Sequence, residues 1–406
     1  MFLLLFSTFF LLFSEVPGEL LQSRKNYFEA KKCDPNCTFV YNYTNSETIK
    51  YFPTECSVVC ADIYIFAGSG LSEEQLKTTF KNMKKLFGTL ELQQTNFTNV
   101  TFLAGLEAVE TDYGDIRILY NWNLTEVDFS NLTSVNCSAF RIASNPKMKT
   151  IKLPNLKNLS SSEVSSFAPI PRMVMLIAGL SPEYCMKFDE MEHFLSLDKG
   201  DFSSIYANYC TPTPEEKICR TLQPGCTRML GDLRIDSSFN DLYSIKTLES
   251  LFGRLIVTGT NLTSLESLPN LKYIAPLGWN SGDSYFGYEN DLSKAFQLLN
   301  NSKLINYTLP NLIRIRSDGH NQTVIQSNNE ELLVDSKSCW KLEAALINHF
   351  VRVDGKYCYD IQSNEDRRNE ETRTLIMWIA IGVGGAAFLI ISVLLCYCCC
   401  LKKKRT

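Results

Sequence analysis

Cysteine is the residue type in this chain best placed to do chemistry. Of its 15 cysteines, Cys33, Cys37, Cys56, Cys60, Cys137, Cys185, Cys210, Cys219, Cys226, Cys339 and Cys358 precede a long apolar run. Cys396, Cys398, Cys399 and Cys400 stand at the end of that run. Cys33-X3-Cys37 and Cys56-X3-Cys60 could be read as paired zinc ligands. The chain has only His193, His320 and His349 to join them, and cysteines in a secreted segment usually oxidise. Disulfide chemistry is therefore expected, with the odd cysteine left free or bridged to another chain. Other reactive constellations are missing: there is no His-Glu-X-X-His, no phosphate-binding Gly-Lys-Ser/Thr loop and no kinase triplet. Glu192-His193 invites an acid-base reading, yet no nucleophile or ligand stands at motif spacing around it, so a solvated or packed histidine is expected. The sequence predicts no catalytic residue, no metal and no cofactor.

The apolar run spans Leu375 to Leu395 without a charge and ends on Lys402-Lys403-Lys404-Arg405. About 20 apolar residues at a rise of 1.5 Å cross a bilayer core, and a basic cluster behind them stays cytosolic. Residues 374–397 are expected to span and 398–406 to form a cytosolic tail too short to fold as a domain. Cys396, Cys398, Cys399 and Cys400 beside that tail suit S-palmitoylation; the other reading is a set of inert reduced thiols. Gly382 and Ala386 share a helix face and permit a homodimer through the span, although such residues are common in spans anyway. At the other end, residues 1–18 read as a signal peptide, too short to span. The implied localisation is the plasma membrane, single-pass type I, with the N-terminus extracellular.

Sequons support that topology. They begin at Asn42, Asn96, Asn99, Asn123, Asn131, Asn158, Asn261, Asn300, Asn306 and Asn321, and all precede the span. Asn36 and Asn136 carry cysteine in the middle position and are weaker acceptors. A net charge of -4 with no basic cluster outside the tail argues against nucleic acid as a partner. A hydrophobic share of 45% with 25 Phe allows a large core.

The elements that must hold these residues are written in repeats. Phe87-Gly88-Thr89-Leu90 through Thr95-Asn96-Phe97-Thr98 returns as Phe252-Gly253-Arg254-Leu255 through Thr260-Asn261-Leu262-Thr263. Tyr184-Cys185 is matched by Ser338-Cys339, and each copy closes on a second cysteine, Cys210 or Cys358. Within a copy, Ile116-Arg117-Ile118 recurs 24 residues on as Phe140-Arg141-Ile142, a period in the leucine-rich-repeat range. Leu-Pro-Asn-Leu at Leu153, Leu268 and Leu309 marks corners, and Asn turns tolerate left-handed backbone at others. Such a period predicts a parallel β-solenoid whose open ends need capping helices. Ser72 and the Glu73–Phe87 stretch give one helix, Asp241 to Phe252 its partner, and Tyr184–Leu195 and Ser338–Phe350 the closing pair. Cys185–Cys210, Cys339–Cys358 and Cys219–Cys226 are the expected bridges; Cys33, Cys37, Cys56 and Cys60 pair among themselves in an order left open. Cys137 is the candidate free, buried thiol.

These linked motifs resemble the receptor L domain, the ligand-binding lobe of insulin and epidermal growth factor receptors. The chain is similar to kinase-lacking nematode receptor-L-domain membrane proteins. It departs from the growth-factor receptors in two ways: only Thr211 to Lys217 separates the copies, and no kinase follows. The resemblance implies a mainly β fold with α, two tandem right-handed parallel solenoids with capping helices plus one transmembrane helix. The expected division is a cysteine-containing segment 19–52, L domains 53–212 and 213–360, and a stalk 361–373. The aromatic insert around Trp279, Tyr285, Phe286 and Tyr288 has the residue types of a binding hot spot, or else fills the core beneath a long loop. The expected partner is an extracellular protein or peptide ligand or another surface receptor, beside the lipid bilayer. Such binding would make it a co-receptor, decoy or modulator of growth-factor or insulin-type signalling. The alternative is a structural or adhesive surface protein making homophilic or cell-cell contacts.

Overall fold

The computed structural model describes residues 17–161, 172–278, 294–317, 323–346 and 350–403, with side chains for all of these except 17–21, 23 and 395–403. Short strands dominate, and the chain visits two sheets in turn. In the first copy one sheet runs Thr38–Phe39, Val58–Ala61, Lys85–Phe87, Ala108–Glu110, Ser134–Asn136, Asn158–Ser160. The other holds Ile63–Ile65, Leu90–Gln93, Ile116–Leu119, Ala139–Ala143, Met173–Ala178 and Gly200–Ile205, again in spatial order. All these pairings are parallel, and Ile116, Arg117 and Ile118 lie opposite Phe140, Arg141 and Ile142. The 24-residue spacing is therefore one step across the sheet, which keeps Ile116, Ile118, Phe140 and Ile142 buried while the arginines face outward.

The second copy repeats this with a four-stranded sheet, Arg228–Leu230, Ser250–Phe252, Tyr273–Ile274 and Arg314–Ile315. Its second sheet is Leu233–Ile235, Leu255–Thr258, Phe296–Leu299 and Thr323–Gln326, closed by Arg352–Val353 and an antiparallel Lys356–Tyr357. Glycine is required where the two sheets meet. A Cβ on Gly88 would lie 2.0 Å from the Ala61 carbonyl oxygen, and one on Gly253 would lie 2.1 Å from that of Gly231.

Corners at the far ends of the second-sheet strands share one device. Thr95 donates to Asn121 Oδ1 from its backbone N–H at 2.9 Å and from Oγ1 at 2.7 Å. The Asn121 backbone N–H donates in turn to Asn145 Oδ1 at 2.8 Å, and Asn145 Nδ2 donates to the Ile118 carbonyl at 2.8 Å. The second copy repeats the ladder through Thr260, Asn301 and Asn328, at 2.8 to 3.0 Å. These asparagines do not take the left-handed backbone themselves. The residues before them, and the one before Thr95, do: Tyr120, Ser144, Asn300, Ser327 and Gln94 all have φ of 53–58°. The strain of about 1 kcal/mol or more at each is offset by aiming the next side chain inward. In each Leu-Pro-Asn-Leu the leucines are buried and the asparagine Nδ2 donates at 2.7 Å to a carbonyl of an earlier turn, that of Ser130, Lys246 or Pro269.

Among the described residues five α-helices complete the fold: α1 (Pro17–Ala30), α2 (Glu73–Phe80), α3 (Phe188–Ser196), α4 (Ser336–Ala345) and α5 (Cys358–Lys403). Ser72 and Gln75 cap α2 reciprocally, and Leu76 and Phe80 bury its inner face. No partner helix fills Asp241–Phe252. The connection there is shorter (Ile235 to Ser250, against Ile65 to Lys85), leaving room only for a 3-10 turn at Ser244–Thr247 before Ser250–Phe252 pairs as a strand. The closing helices also start elsewhere than expected. Cys185–Met186 is a strand paired with Asn208–Tyr209 ahead of α3, and α4 begins at Ser336 because Asp335 caps it.

Two segments expected to stand apart are built in. Within 19–52, Thr38–Phe39 extends the first sheet beside Cys60–Ala61, and Phe39 and Phe52 enter the core. From α1, Tyr27 donates to the Glu110 carbonyl at 2.6 Å and Arg24 pairs with buried Asp62, and Lys31, just past its end, pairs with Glu110. The stalk 361–373 has no break: α5 is one 46-residue helix. Ile361 is buried, the Ser336 N–H donates to Glu365, and Arg368 pairs with Glu331 at 2.6 Å, so the first turns grip the second copy. Among the described residues α5 is the one helix long and apolar enough to cross a membrane, with a mean hydropathy of 2.3 over its most apolar 18 residues.

Asn145→Ala strands the Asn121 N–H and the Ile118 carbonyl inside the core. A loss of about 3 kcal/mol is expected in chemical denaturation, from about 1–3 kcal/mol per orphaned group; a change below about 0.5 kcal/mol would show that the ladder is dispensable.

Candidate ligand face and the junction between the copies

Alternate residues of the second sheet in the first copy point away from the core, and the pairing aligns them. Tyr64, Glu91, Arg117, Arg141, Leu176 and Ser204 form one row across six strands. Adjacent guanidiniums repel, and buried Asp115 reconciles them. Arg117 Nε and Nη2 donate to Asp115 Oδ2 at 3.1 and 3.0 Å, and Arg141 Nε lies 3.3 Å from the same oxygen. Asp115 Oδ1 accepts the Ala139 N–H at 3.0 Å. Glu91 flanks the pair 3.7 Å from Arg117, and burial raises its carboxyl above the usual range while Arg117 draws it down. Both arginines thus stand partly exposed with fixed heads, suited to carboxylates and aromatic faces on a partner. The matching row of the second copy is Arg234, Ile256, Gln297 and Val324.

Sequon asparagines avoid the strands of these second sheets. Asn136 and Asn158 lie in first-sheet strands. Asn96, Asn261 and Asn300 are exposed just beyond second-sheet strand ends, with Asn99 and Asn123 half-buried a few residues further on. Asn42 is exposed beside Arg24, half-buried Asn306 accepts from the Thr308 N–H, and Asn131 donates to the Ala104 carbonyl at 2.9 Å. Asn36 is exposed ahead of Thr38–Phe39.

The first copy ends against the second. Phe188 of α3 and Tyr209 pack on Phe252 with ring centroids 4.9 and 5.1 Å apart, and Tyr209 Oη donates to the Ala275 carbonyl at 2.6 Å. Arg316, fully buried, donates to the carbonyls of Phe202, Ser203, Ile205 and Pro276. Arg314 reaches the Leu197 and Asp198 carbonyls at 3.1 and 3.3 Å, and Arg228 pairs with Asp189 and Glu192 at 2.5 and 2.9 Å. Phe252 and Ala275 consequently belong to the core of the first copy.

Neither arginine set was singled out from the sequence. The signal was present in Arg314-Ile315-Arg316, where charge on both outward positions of a short strand marks a covered face. The bridges are Cys33–Cys60, Cys37–Cys56, Cys185–Cys210, Cys219–Cys226 and Cys339–Cys358, and Cys137 is free and buried. Trp279, Tyr285, Phe286, Tyr288 and Asn321 lie outside the described residues. Cys396, Cys398, Cys399 and Cys400 are in the last turns of α5, their side chains likewise outside the description; Gly382 and Ala386 are exposed on the same helix. His193 is half-buried on α3, and among the described residues no cluster of His, Cys, Asp or Glu could hold a metal.

Alternating parallel sheets, disulfide-closed ends and an outward row of fixed polar side chains define a protein built to present a surface. The receptor L domain model matches residues 55–159 and 225–344, one match in each copy, and the chain belongs to the receptor L domain family. It is also similar to "Protein irld-34" of Caenorhabditis elegans, 21% identical over 346 residues that cover 79% of this chain and 76% of that protein. The family suggests a receptor-like, ligand-binding role, since L-domain receptors bind protein ligands.

Two outcomes follow. Arg316→Ala orphans carbonyls from both copies and should cost about 3 kcal/mol or more, splitting one thermal transition into two; an unchanged single transition would refute the lock. The Cys137 thiol is pushed up to about 12, by burial first and then by the charge of Asp115, so it should resist iodoacetamide at neutral pH until the chain unfolds. Alkylation of the native chain at neutral pH would contradict that burial.

Proposed function

We propose that this chain is a non-catalytic, single-pass type I surface glycoprotein that binds an extracellular protein or peptide. In this reading each L domain is a right-handed β-solenoid, and the protein acts as a co-receptor, decoy or modulator of growth-factor or insulin-type signalling. The observation that carries it is the row from Tyr64 to Ser204, whose strands are free of sequons while the first sheet and the corners bear them. Glycans at those positions would leave the second sheets bare, and an exposed, rigid row with Arg and Tyr is the composition of protein-binding hot spots. The family membership supports a binding role, and the single candidate membrane helix fits contact with a bilayer. Cys396, Cys398, Cys399 and Cys400 beside the basic tail would then serve anchoring and sorting by acylation.

A glycan wedge tests the face. Arg141→Asn with Ala143→Thr writes a sequon into the row. Ectodomain carrying it should lose at least tenfold in capture of the secreted peptides or cell-surface proteins that unmodified residues 19–373 retain. Removing Asn158 by Asn158→Gln should leave capture unchanged. Full capture with the wedge occupied by glycan would move the ligand site elsewhere.

A further inference from the structure

Beside the junction, the closing helix α3 does not seal the first copy completely. Between it and the Thr150–Lys152 edge lies a half-open cavity of about 290 Å³. Ile151, Leu153, Met186 and Phe194 form apolar walls. Asp189, Glu190 and His193, all from α3, supply its polar side, with Tyr184 beside them.

Those polar groups are unevenly satisfied. Asp189 is already neutralised by Arg228 at 2.5 Å. Glu190 accepts the Lys187 N–H at 3.3 Å, and among the described residues its ion pair is an exposed one to Lys187 at 3.9 Å. Burial holds its carboxyl above the usual range. His193 Nε2 is buried with no hydrogen-bond partner among the described residues. In the neutral imidazole with hydrogen on Nδ1, that nitrogen is an acceptor. The site therefore offers a carboxylate and an acceptor nitrogen above apolar walls. An anionic guest would face Glu190, which among the described residues is compensated only by Lys187 at 3.9 Å. A guest with several N–H donors and a positive charge satisfies both acceptors, and an aromatic ring matches the walls and the volume.

We propose that this cavity is a binding subsite for an aromatic primary amine, held by its ammonium to Glu190 and His193 with its ring against Leu153, Met186 and Phe194. The subsite is separate from the Arg117–Arg141 face, so its failure and the failure of the ligand face are read by different experiments.

The test uses the full chain in lipid nanodiscs, titrated calorimetrically with tryptamine against empty nanodiscs. Tryptamine should bind with a dissociation constant of about 1 mM or tighter, the range expected for a ligand of about a dozen heavy atoms. Indole-3-acetate, the same ring with the opposite charge, should bind at least tenfold more weakly. Glu190→Gln and His193→Phe should each weaken tryptamine at least tenfold, while unchanged disulfide maps and thermal transitions show that the variants are folded. Should either variant misfold, the tryptamine-to-indole-acetate ratio on the unmodified chain decides alone. Equal binding of the two indoles, undiminished binding to folded Glu190→Gln, or no heat at 10 mM tryptamine (about tenfold above the expected constant) would overturn the assignment.

Discussion

A corner between stacked strands turns peptide N–H and C=O groups toward an interior that water cannot enter, and the fold depends on how they are satisfied. The inward carboxamides do this. Asn121 accepts from Thr95, and its Nδ2 donates back to the Leu92 carbonyl at 3.1 Å. Asn145 repeats the arrangement one strand further on, and Asn301 and Asn328 repeat it in the second copy. A short side chain with both donor and acceptor is needed, and its predecessor must accept left-handed backbone to aim it. Because each link fixes one strand's height against the next, the ladder also sets the register of the outward row. Arg117 and Arg141 share Asp115 because their strands cannot slip.

Where the ladder ends, the apolar stack must be covered. The Phe-Gly strand of each copy puts a phenylalanine, Phe87 or Phe252, on the outer face of its first sheet. In the second copy that face is covered by Phe188, Tyr209 and the carbonyl ends of the first copy, which Arg314 and Arg316 collect. In the first copy the cover is α1, with Lys31 over Phe87 at 5.9 Å and Tyr27 edge-on to Tyr113 at 5.0 Å. Guanidiniums suit the junction because five N–H donors in one plane can satisfy several carbonyls at once.

The repeating part of this structure could be read in the residues. The Ile116/Phe140 period, the Phe-Gly pair and the Leu-Pro-Asn-Leu corners each reflect a local requirement that recurs, so one copy interprets the other. What could not be read was set by single events. The helix expected at Asp241–Phe252 is missing because the connection is shorter, although its apolar spacing looks helical. The order of Cys33, Cys37, Cys56 and Cys60 depends on Thr38–Phe39 joining a sheet edge, which two residues cannot announce. The arginines were hidden for a different reason: Arg141, Arg314 and Arg316 find their carboxylate or carbonyl partners on other strands, which sequence proximity does not record, and the nearby Asp115–Arg117 pair gains its meaning only when Arg141 is placed beside it.

The two covered faces bear on how this molecule can associate. An array of stacked modules grows when the closing end of one unit meets the open face of the next, and within this chain that contact is made once, at Phe252. The equivalent face of the first copy, at Phe87, is occupied from within by a helix tied down through Cys33–Cys60 and Arg24–Asp62. A further unit could not dock on the Phe87 face by the same contact without displacing that helix. Among the described residues the stacking contact is thus used once and its second acceptor is filled from within.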